Sequence, residues 1–118
     1  MKPLLGLVLG LAASSAHAEG RHDTVLSCTF DDLKITIRQD GGEGFEWLDT
    51  QRFPQPVTAR ISRSEDRITV APIGVMDLEV TITIEARDKV APDTAATYHV
   101  SGMGLPAETL HGTCEEPV

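Results

Sequence analysis

Three polar side chains near the C-terminus have the chemistry of metal ligands. His99 and His111 lie on the last two predicted strands, and Glu108 lies close to His111 in the sequence. If those strands pair, the two imidazoles can face each other, and two imidazoles with a carboxylate suit Zn²⁺ or Cu²⁺. Histidines on the solvent face of a hairpin are the simpler alternative. The pattern indicates one candidate metal site, formed by His99, His111 and Glu108.

A glycine-rich segment, residues 41–49, resembles one calcium-binding nonapeptide of the parallel β-helix type, with Glu46 in the position of the motif's Asp. In that architecture the ion lies between successive stacked turns, whereas this chain has a single copy. Glycines that supply positive φ angles in a turn explain the same residues. We therefore predict a hairpin between Ile37 and Phe45 in preference to a calcium site.

A copper site at the N-terminus depends on where a leader is cut. Cleavage after Glu19 would make His22 the third residue, and the terminal amine, two amides and that imidazole could then wrap Cu²⁺ or Ni²⁺ in a square plane. Cleavage after Ala18 makes His22 the fourth residue, which does not suit that chelate. The predicted cleavage after Ala18 therefore disfavours copper.

The sequence contains no recognisable catalytic motif. None of its serines lies in G-x-S-x-G, and H-E-x-x-H, a P-loop and a dinucleotide fingerprint are missing. Acidic pairs such as Asp31-Asp32 are adjacent, and adjacent strand residues point to opposite faces, so they rarely form an acid/base dyad. We predict no catalytic residues, no cofactor and a protein that is not an enzyme.

Residues 1–18 have the organisation of a signal peptide. Lys2 is followed by an apolar run over 4–13 and by Ala16-His17-Ala18, a small-x-small cleavage site. A run of about ten residues is half the roughly 20 that a membrane-spanning helix needs, and no cysteine follows it to carry a lipid anchor. We therefore expect a signal peptide over 1–18, a single domain over 19–118, and a periplasmic or secreted location without a membrane anchor.

Cys28 and Cys114 are the two cysteines of the chain. In an exported protein, two cysteines most simply form one disulfide. A metal pair or a reactive thiol is disfavoured, since C-x-x-C spacing is missing. Because the Cα atoms of a disulfide lie within about 7 Å of each other, the bond would bring the first and last predicted strands together.

Apolar residues alternate with polar ones along most of the chain, most regularly over 33–38 and 78–85. Such alternation indicates strands with one buried face. The other predicted strands cover 24–30, 45–49, 57–62, 67–71, 97–101 and 109–114, while 88–96 could hold a turn of helix. Phe45 and Trp47 share one strand face, which we expect to lie in the core. We predict an all-β domain, a small antiparallel barrel or sandwich of about seven to eight strands closed by the disulfide, with a barrel slightly favoured.

The charge balance excludes one class of partner. Removing residues 1–18 takes away one charged side chain, Lys2, and changes the formal net charge from -8 to -9. Such an acidic domain repels nucleic acid, because phosphate binding needs clustered Lys and Arg. We therefore expect an acidic binding protein whose surface or strand edge docks a protein partner, such as a basic hydrolase that it inhibits. The alternative is a periplasmic metal-binding protein. The oligomeric state stays open.

Overall fold

The structure of the protein, a computed structural model, describes residues 21–49, 51–75 and 77–117, and of Leu105 the backbone alone. Eight antiparallel strands follow one another around a closed barrel. The strands are β1 (Thr24–Phe30), β2 (Leu33–Gln39), β3 (Phe45–Leu48), β4 (Val57–Arg63), β5 (Ile68–Pro72), β6 (Leu78–Ile84), β7 (Thr94–Gly102) and β8 (Leu105–Glu115). The prediction of an all-β fold closed by a disulfide is confirmed, and the barrel is the correct one of the two architectures.

Two predictions about the second half of the chain were wrong. The helical turn expected within 88–96 does not form, because Thr94–Ala96 belong to β7 and Ala96 pairs with both Ile84 of β6 and Gly112 of β8. Strand pairing on both sides therefore outweighs the local preference of alanine for helix. β7 and β8 also run further than predicted. A two-residue turn at Met103 and Gly104 joins them, and pairing continues to Gly102 and Leu105.

The barrel interior is filled with side chains from alternate positions of the strands. Trp47 and Tyr98 are the largest, and both are fully buried. The rings of Phe30 and Tyr98 lie 5.6 Å apart between centroids, within the range in which tilted aromatic rings attract each other. The predicted burial of Trp47 is therefore confirmed, and the interior is a packed core like that of other small eight-stranded barrels.

The barrel closes where β1 meets β8. Cys28 is paired directly with Cys114, and the disulfide predicted between them is present. Pairing of the two strands spans only Thr113–Glu115 of β8, so the disulfide lies in the middle of a short seam. The covalent bond thus joins the two strands whose pairing closes the barrel.

Gly112 allows β1 to approach β8 just beside the disulfide. A methyl group on its Cα would lie 2.0 Å from the carbonyl oxygen of Thr29 and 2.7 Å from Cδ1 of Phe30. We predict that Gly112→Ala lowers the free energy of unfolding by about 3 kcal/mol, the upper end for overpacking, because backbone atoms must move apart. Gly42→Ala is the matched control, since its Cβ would have only an ordinary contact at 3.4 Å. Urea denaturation measures both, and equal stability of the two variants would contradict this account of the seam.

Connections alternate between the two ends of the barrel because successive strands are antiparallel. The Asp31 end is formed by the connections between β1 and β2, β3 and β4, β5 and β6, and β7 and β8, whose described residues are 31–32, 49, 51–56, 73–75, 77 and 103–104. The Asp40 end is formed by residues 40–44, 64–67 and 85–93, with the residues that flank the start of β1 and the end of β8. The sequence predicts which residues form connections, and the antiparallel topology determines at which end of the barrel each connection lies.

Candidate functional site

The Asp31 end carries the exposed apolar side chains. Among the described residues two large apolar side chains are exposed, Ile73 at 41% and Met103 at 64%. Ile73 begins the β5–β6 connection, and Met103 forms the β7–β8 turn. A single exposed apolar residue is ordinary on a protein surface. Two of them on consecutive connections of one barrel end make that end the candidate binding surface.

Met103 stands at the tip of a hairpin that extends past the barrel seam. β1 pairs with β8 only over Thr113–Glu115, whereas β7 pairs with β8 as far as Gly102 and Leu105. The first half of β8 is therefore a sheet edge, and Pro106 lies on it, which is where a strand tolerates a residue without an N–H group. The hairpin carries Met103 beyond the neighbouring β1–β2 turn.

Backbone strain concentrates at the same end. Four described residues other than glycine have positive φ, and three of them, Asp31 (56°), Asp77 (57°) and Met103 (55°), lie in Asp31-end connections. Asp adopts this left-handed conformation at modest cost, whereas a long side chain such as Met adopts it less readily. The fold holds Met103 in a strained conformation with its side chain in solvent. Such strain is frequent at binding sites.

Hydrogen bonds tie the connections of the Asp31 end together in two pairs. The Met103 N–H donates to the carbonyl of Asp77 (2.8 Å), linking the β7–β8 turn to the β5–β6 connection. Gln51 Nε2 donates to the carbonyl of Asp32 (3.0 Å), linking the β3–β4 connection to the β1–β2 turn. A surface held in one arrangement loses less conformational entropy when a partner binds.

The β3–β4 connection is also anchored to the barrel interior. Arg52 Nε donates to the hydroxyl oxygen of the buried Tyr98 (3.0 Å). Burial raises the pKa of the Tyr98 hydroxyl above its ordinary value, and the charge and hydrogen bond of Arg52 partly offset that rise. At neutral pH the hydroxyl is neutral and accepts the hydrogen bond of Arg52. This contact fixes the direction of the connection over the barrel mouth.

Exposed charge around the Asp31 end is mainly negative. Asp31, Asp32 and Asp77 are exposed in its connections, and Arg52 is the single cation among the described residues of those connections. An acidic rim around apolar side chains attracts a basic surface and raises the rate of its association. The end therefore combines apolar contact area with a charge that selects for a basic partner.

The Asp40 end differs from the Asp31 end because a residue of its 85–93 connection, Val90, is buried in the core. The Val90 N–H donates to the Glu116 side-chain oxygen Oε1, and its carbonyl accepts the backbone N–H of Glu116 at 2.8 Å. A cavity of about 190 Å³ is lined by six apolar residues and two charged ones, namely Val25, Leu26, Phe45, Ile61, Ile68, Val90, Arg63 and Glu116. Its volume is below the roughly 300–1,000 Å³ of typical ligand sites.

The proposed metal ligands lie on different faces of the β7–β8 hairpin. His99 pairs with Thr109, and its Nδ1 lies 3.1 Å from Thr109 Oγ1, while His111 pairs with Thr97. The two histidines are diagonal neighbours on the outer face. Glu108 pairs with Val100 instead, so strand alternation places it on the opposite face. In the described ranges no group of three His, Cys, Asp or Glu residues could hold a metal ion. Metal binding by His99 and His111 stays a prediction, and Glu108 does not lie on their face to act as a third ligand.

The glycine-rich segment forms the hairpin turn that was predicted. Asp40 Oδ1 accepts the N–H of Gly42 (2.7 Å) and that of Gly44 (3.3 Å), and these bonds close the β2–β3 connection. Glu46, which occupies the motif's ligand position, accepts a hydrogen bond from Arg38 Nε at 3.0 Å. The carboxylates of Asp40 and Glu46 are thus engaged by the hairpin itself.

Several predictions concern residues outside the described ranges. The signal peptide over 1–18 and the two possible cleavage positions lie there, while His22 is described and exposed. Within the described residues, no helix has the length and apolar character needed to cross a membrane. The disulfide of this small β domain fits an extracellular location.

One buried polar residue of the Asp31 end was not singled out from the sequence. Asp49 is 1% exposed, the single charged residue in the buried core of the described chain. A signal was present, because Asp49 follows Trp47 by two positions and alternation puts both on the inner face.

Comparisons of this chain with protein-family models, with curated proteins and with solved structures found no match.

Proposed function

We propose that this chain is an exported, non-catalytic binding domain that docks a basic protein through the Asp31 end of its barrel. The observation that carries the proposal is the exposure of Met103 and Ile73 on connections that are tied together and flanked by exposed aspartates. Apolar anchors surrounded by polar residues are typical of protein interfaces. The proposed compartment is the periplasm or the external medium, where the disulfide persists.

Charge complementarity favours a basic partner. The formal net charge is -8 for the full chain, and the exposed Asp31, Asp32 and Asp77 lie in connections of the same end as the apolar anchors. Like charges across an interface cost several kcal/mol, so this rim disfavours acidic proteins. A hairpin tip that extends past the seam can enter a concave surface. We propose that where the partner is a hydrolase, binding covers its cleft and inhibits it.

The test uses two pairs of variants as bait for proteins of the same compartment. Met103→Asn and Ile73→Asn together remove both apolar anchors, and Asn tolerates the positive φ of residue 103 (55°). We predict that the wild-type domain captures a basic protein and that this double variant binds it at least about tenfold more weakly, since two anchor residues are lost. Calorimetry with the purified partner measures the affinity.

The second pair separates the two ends at equal net charge. Asp31→Asn with Asp32→Asn removes two negative charges from the Asp31 end, and Glu65→Gln with Asp66→Asn removes two from the Asp40 end. We expect the first pair to slow association several-fold at low salt and the second to leave it nearly unchanged. Capture of no basic protein, or equal loss from both pairs, would contradict the proposal.

A further inference from the structure

The cavity of about 190 Å³ lies at the Asp40 end of the barrel, opposite the proposed docking surface. Two of its lining residues, Phe45 of β3 and Ile61 of β4, lie on the same strand faces as Trp47 and Ala59, two positions away. Trp47 and Ala59 are buried, whereas Phe45 and Ile61 are only partly buried. Solvent therefore reaches apolar side chains on the inner face of the sheet at this end.

The first strand is irregular where it borders the cavity. Pairing of β1 with β2 shifts between Thr24 and Leu26, and the residue between them, Val25, lines the cavity together with Leu26. In a regular strand two consecutive side chains point to opposite faces. A bulge redirects one of them, and bulges are frequent at the rims of barrels and beside active sites. The irregularity of β1 therefore adds an apolar side chain to the cavity wall.

Although the cavity is smaller than the sites of drug-sized ligands, it is larger than an ordinary packing defect. Protein interiors contain few voids larger than a water molecule, and an apolar cavity of about 150 Å³ binds benzene. At about 190 Å³, this cavity admits about seven or eight carbon atoms by the same proportion. Its two charged lining residues, Arg63 and Glu116, have opposite signs. The cavity therefore favours an apolar molecule without net charge.

The 85–93 connection forms one wall of the cavity. Val90 lies in this connection and lines the cavity. The connection is held by the hydrogen bonds between Val90 and Glu116 and by Arg63, whose Nη1 donates to the carbonyl of Asp88 (3.0 Å). The Arg63 bond is exposed, so water competes for both partners. None of these bonds belongs to the strand pairing, and the connection can move aside while the barrel stays closed. It gives a small molecule a path into the cavity.

We infer that this Asp40-end cavity binds a small uncharged apolar molecule of about six to eight carbon atoms, such as a monocyclic aromatic compound or a medium-length alcohol. Such a molecule restores the contacts that the lining lacks when the cavity is empty. Among the lining residues Arg63 offers donors and Glu116 an acceptor for one hydroxyl group. The inference goes beyond the proposed function and does not rest on it, because the two sites lie at opposite ends of the barrel.

The first experiment titrates the disulfide-bonded wild type with straight-chain primary alcohols, from butan-1-ol to decan-1-ol, and follows the amide NMR signals. The signals of Leu26, Phe45 and Ile68 should shift to saturation. Affinity should rise about fourfold with each added CH₂ group, up to about eight carbon atoms, and then stop rising because the cavity is full. No saturable binding, or a rise that continues unbroken to decan-1-ol, would overturn the inference.

A second experiment fills the cavity from within. Ile61→Trp places a larger side chain at a lining position, and we expect it to weaken binding of hexan-1-ol at least about tenfold, because the space for about six carbon atoms is lost. Ser62→Trp is the matched control, since Ser62 is the next residue of β4, is exposed and points to the opposite face. It should bind hexan-1-ol like the wild type. Equal affinities of the two folded tryptophan variants would overturn the inference. If Ile61→Trp does not fold, the chain-length series with the wild type decides.

A third experiment tests the absence of charge on the ligand. Hexanoate and hexylammonium have the chain length of hexan-1-ol but carry opposite charges. Each meets a like charge in the cavity lining, hexanoate at Glu116 and hexylammonium at Arg63, so both should bind more weakly than hexan-1-ol. Tighter binding of either ion than of hexan-1-ol would overturn the assignment of an uncharged ligand.

Discussion

Loss of the disulfide should remove a large share of the stability of the domain. Replacing Cys28 and Cys114 by alanine is expected to lower the free energy of unfolding by about 4–5 kcal/mol, from the chain-entropy relation for a closed loop. The bond spans a sequence separation of 86, so it restricts nearly the whole unfolded domain. Guanidinium denaturation of the oxidised protein and the double variant measures the difference.

Reductant supplies the control for this comparison. Both cysteines are buried, and alanine leaves small cavities whose cost is separate from that of the bond. Reduced wild type should therefore be destabilised nearly as much as the double variant, and the double variant should not respond to reductant. A difference below about 1 kcal/mol between oxidised and reduced wild type, against a typical total of about 5–15 kcal/mol, would contradict the role given to the seam.

Truncation of Trp47 should produce the largest loss in the barrel interior. Trp47 is fully buried, and deletion of a buried Trp side chain to Ala typically costs about 3–5 kcal/mol through lost burial and the cavity that remains. We predict a loss in that range for Trp47→Ala. Since it removes the single tryptophan, unfolding is followed by far-ultraviolet circular dichroism in urea.

Trp47→Phe is the matched variant. The indole Nε1 is buried without a hydrogen-bond partner among the described residues, and an unpaired buried donor is itself unfavourable. Phe keeps much of the apolar volume and removes that donor. We therefore expect Trp47→Phe to lose less than about half of what Trp47→Ala loses. Equal losses would show that the indole N–H makes a contact that this structure does not contain.

The fold was largely predictable because its dominant signal is local. β6 reads Leu, Glu, Val, Thr, Ile, Thr, Ile, and a period of two assigns each of these side chains to a face without knowledge of any other strand. The disulfide then required the first and last strands to be neighbours. Strand identity, burial of Trp47 and the proximity of the first and last strands followed from these two kinds of information, whereas the choice between a barrel and a sandwich needed the observed pairing.

Register across the β7–β8 hairpin was not predictable, and the candidate metal site depended on it. The turn is two residues long, and the pairing shifts between Val100 and Gly102. A shift of one residue exchanges the two faces of a strand. Register brings His99 and His111 to one face, whereas Glu108 faces away because it lies three positions before His111 on β8, and residues an odd number apart on a strand point to opposite faces. No local pattern signals such an irregularity in this hairpin.

The Asp31-end surface was missed for a different reason. Met103 and Ile73 lie between predicted strands, but the sequence does not reveal which connections share an end of the barrel or whether their side chains are exposed. Asp49 had a local signal, its place two residues after Trp47. Its unpartnered oxygen depends on the contacts made by Gln51 and Arg52, which require the folded connection.

Amide hydrogen exchange of the domain, free and in complex with the captured basic protein, shows which end of the barrel the partner covers. Binding at the Asp31 end should slow exchange in its connections, residues 51–56, 73–75 and 102–105, and leave residues 40–44, 64–67 and 85–93 unchanged. Slower exchange confined to the Asp40 end, or no change at either end while the complex persists, would contradict it.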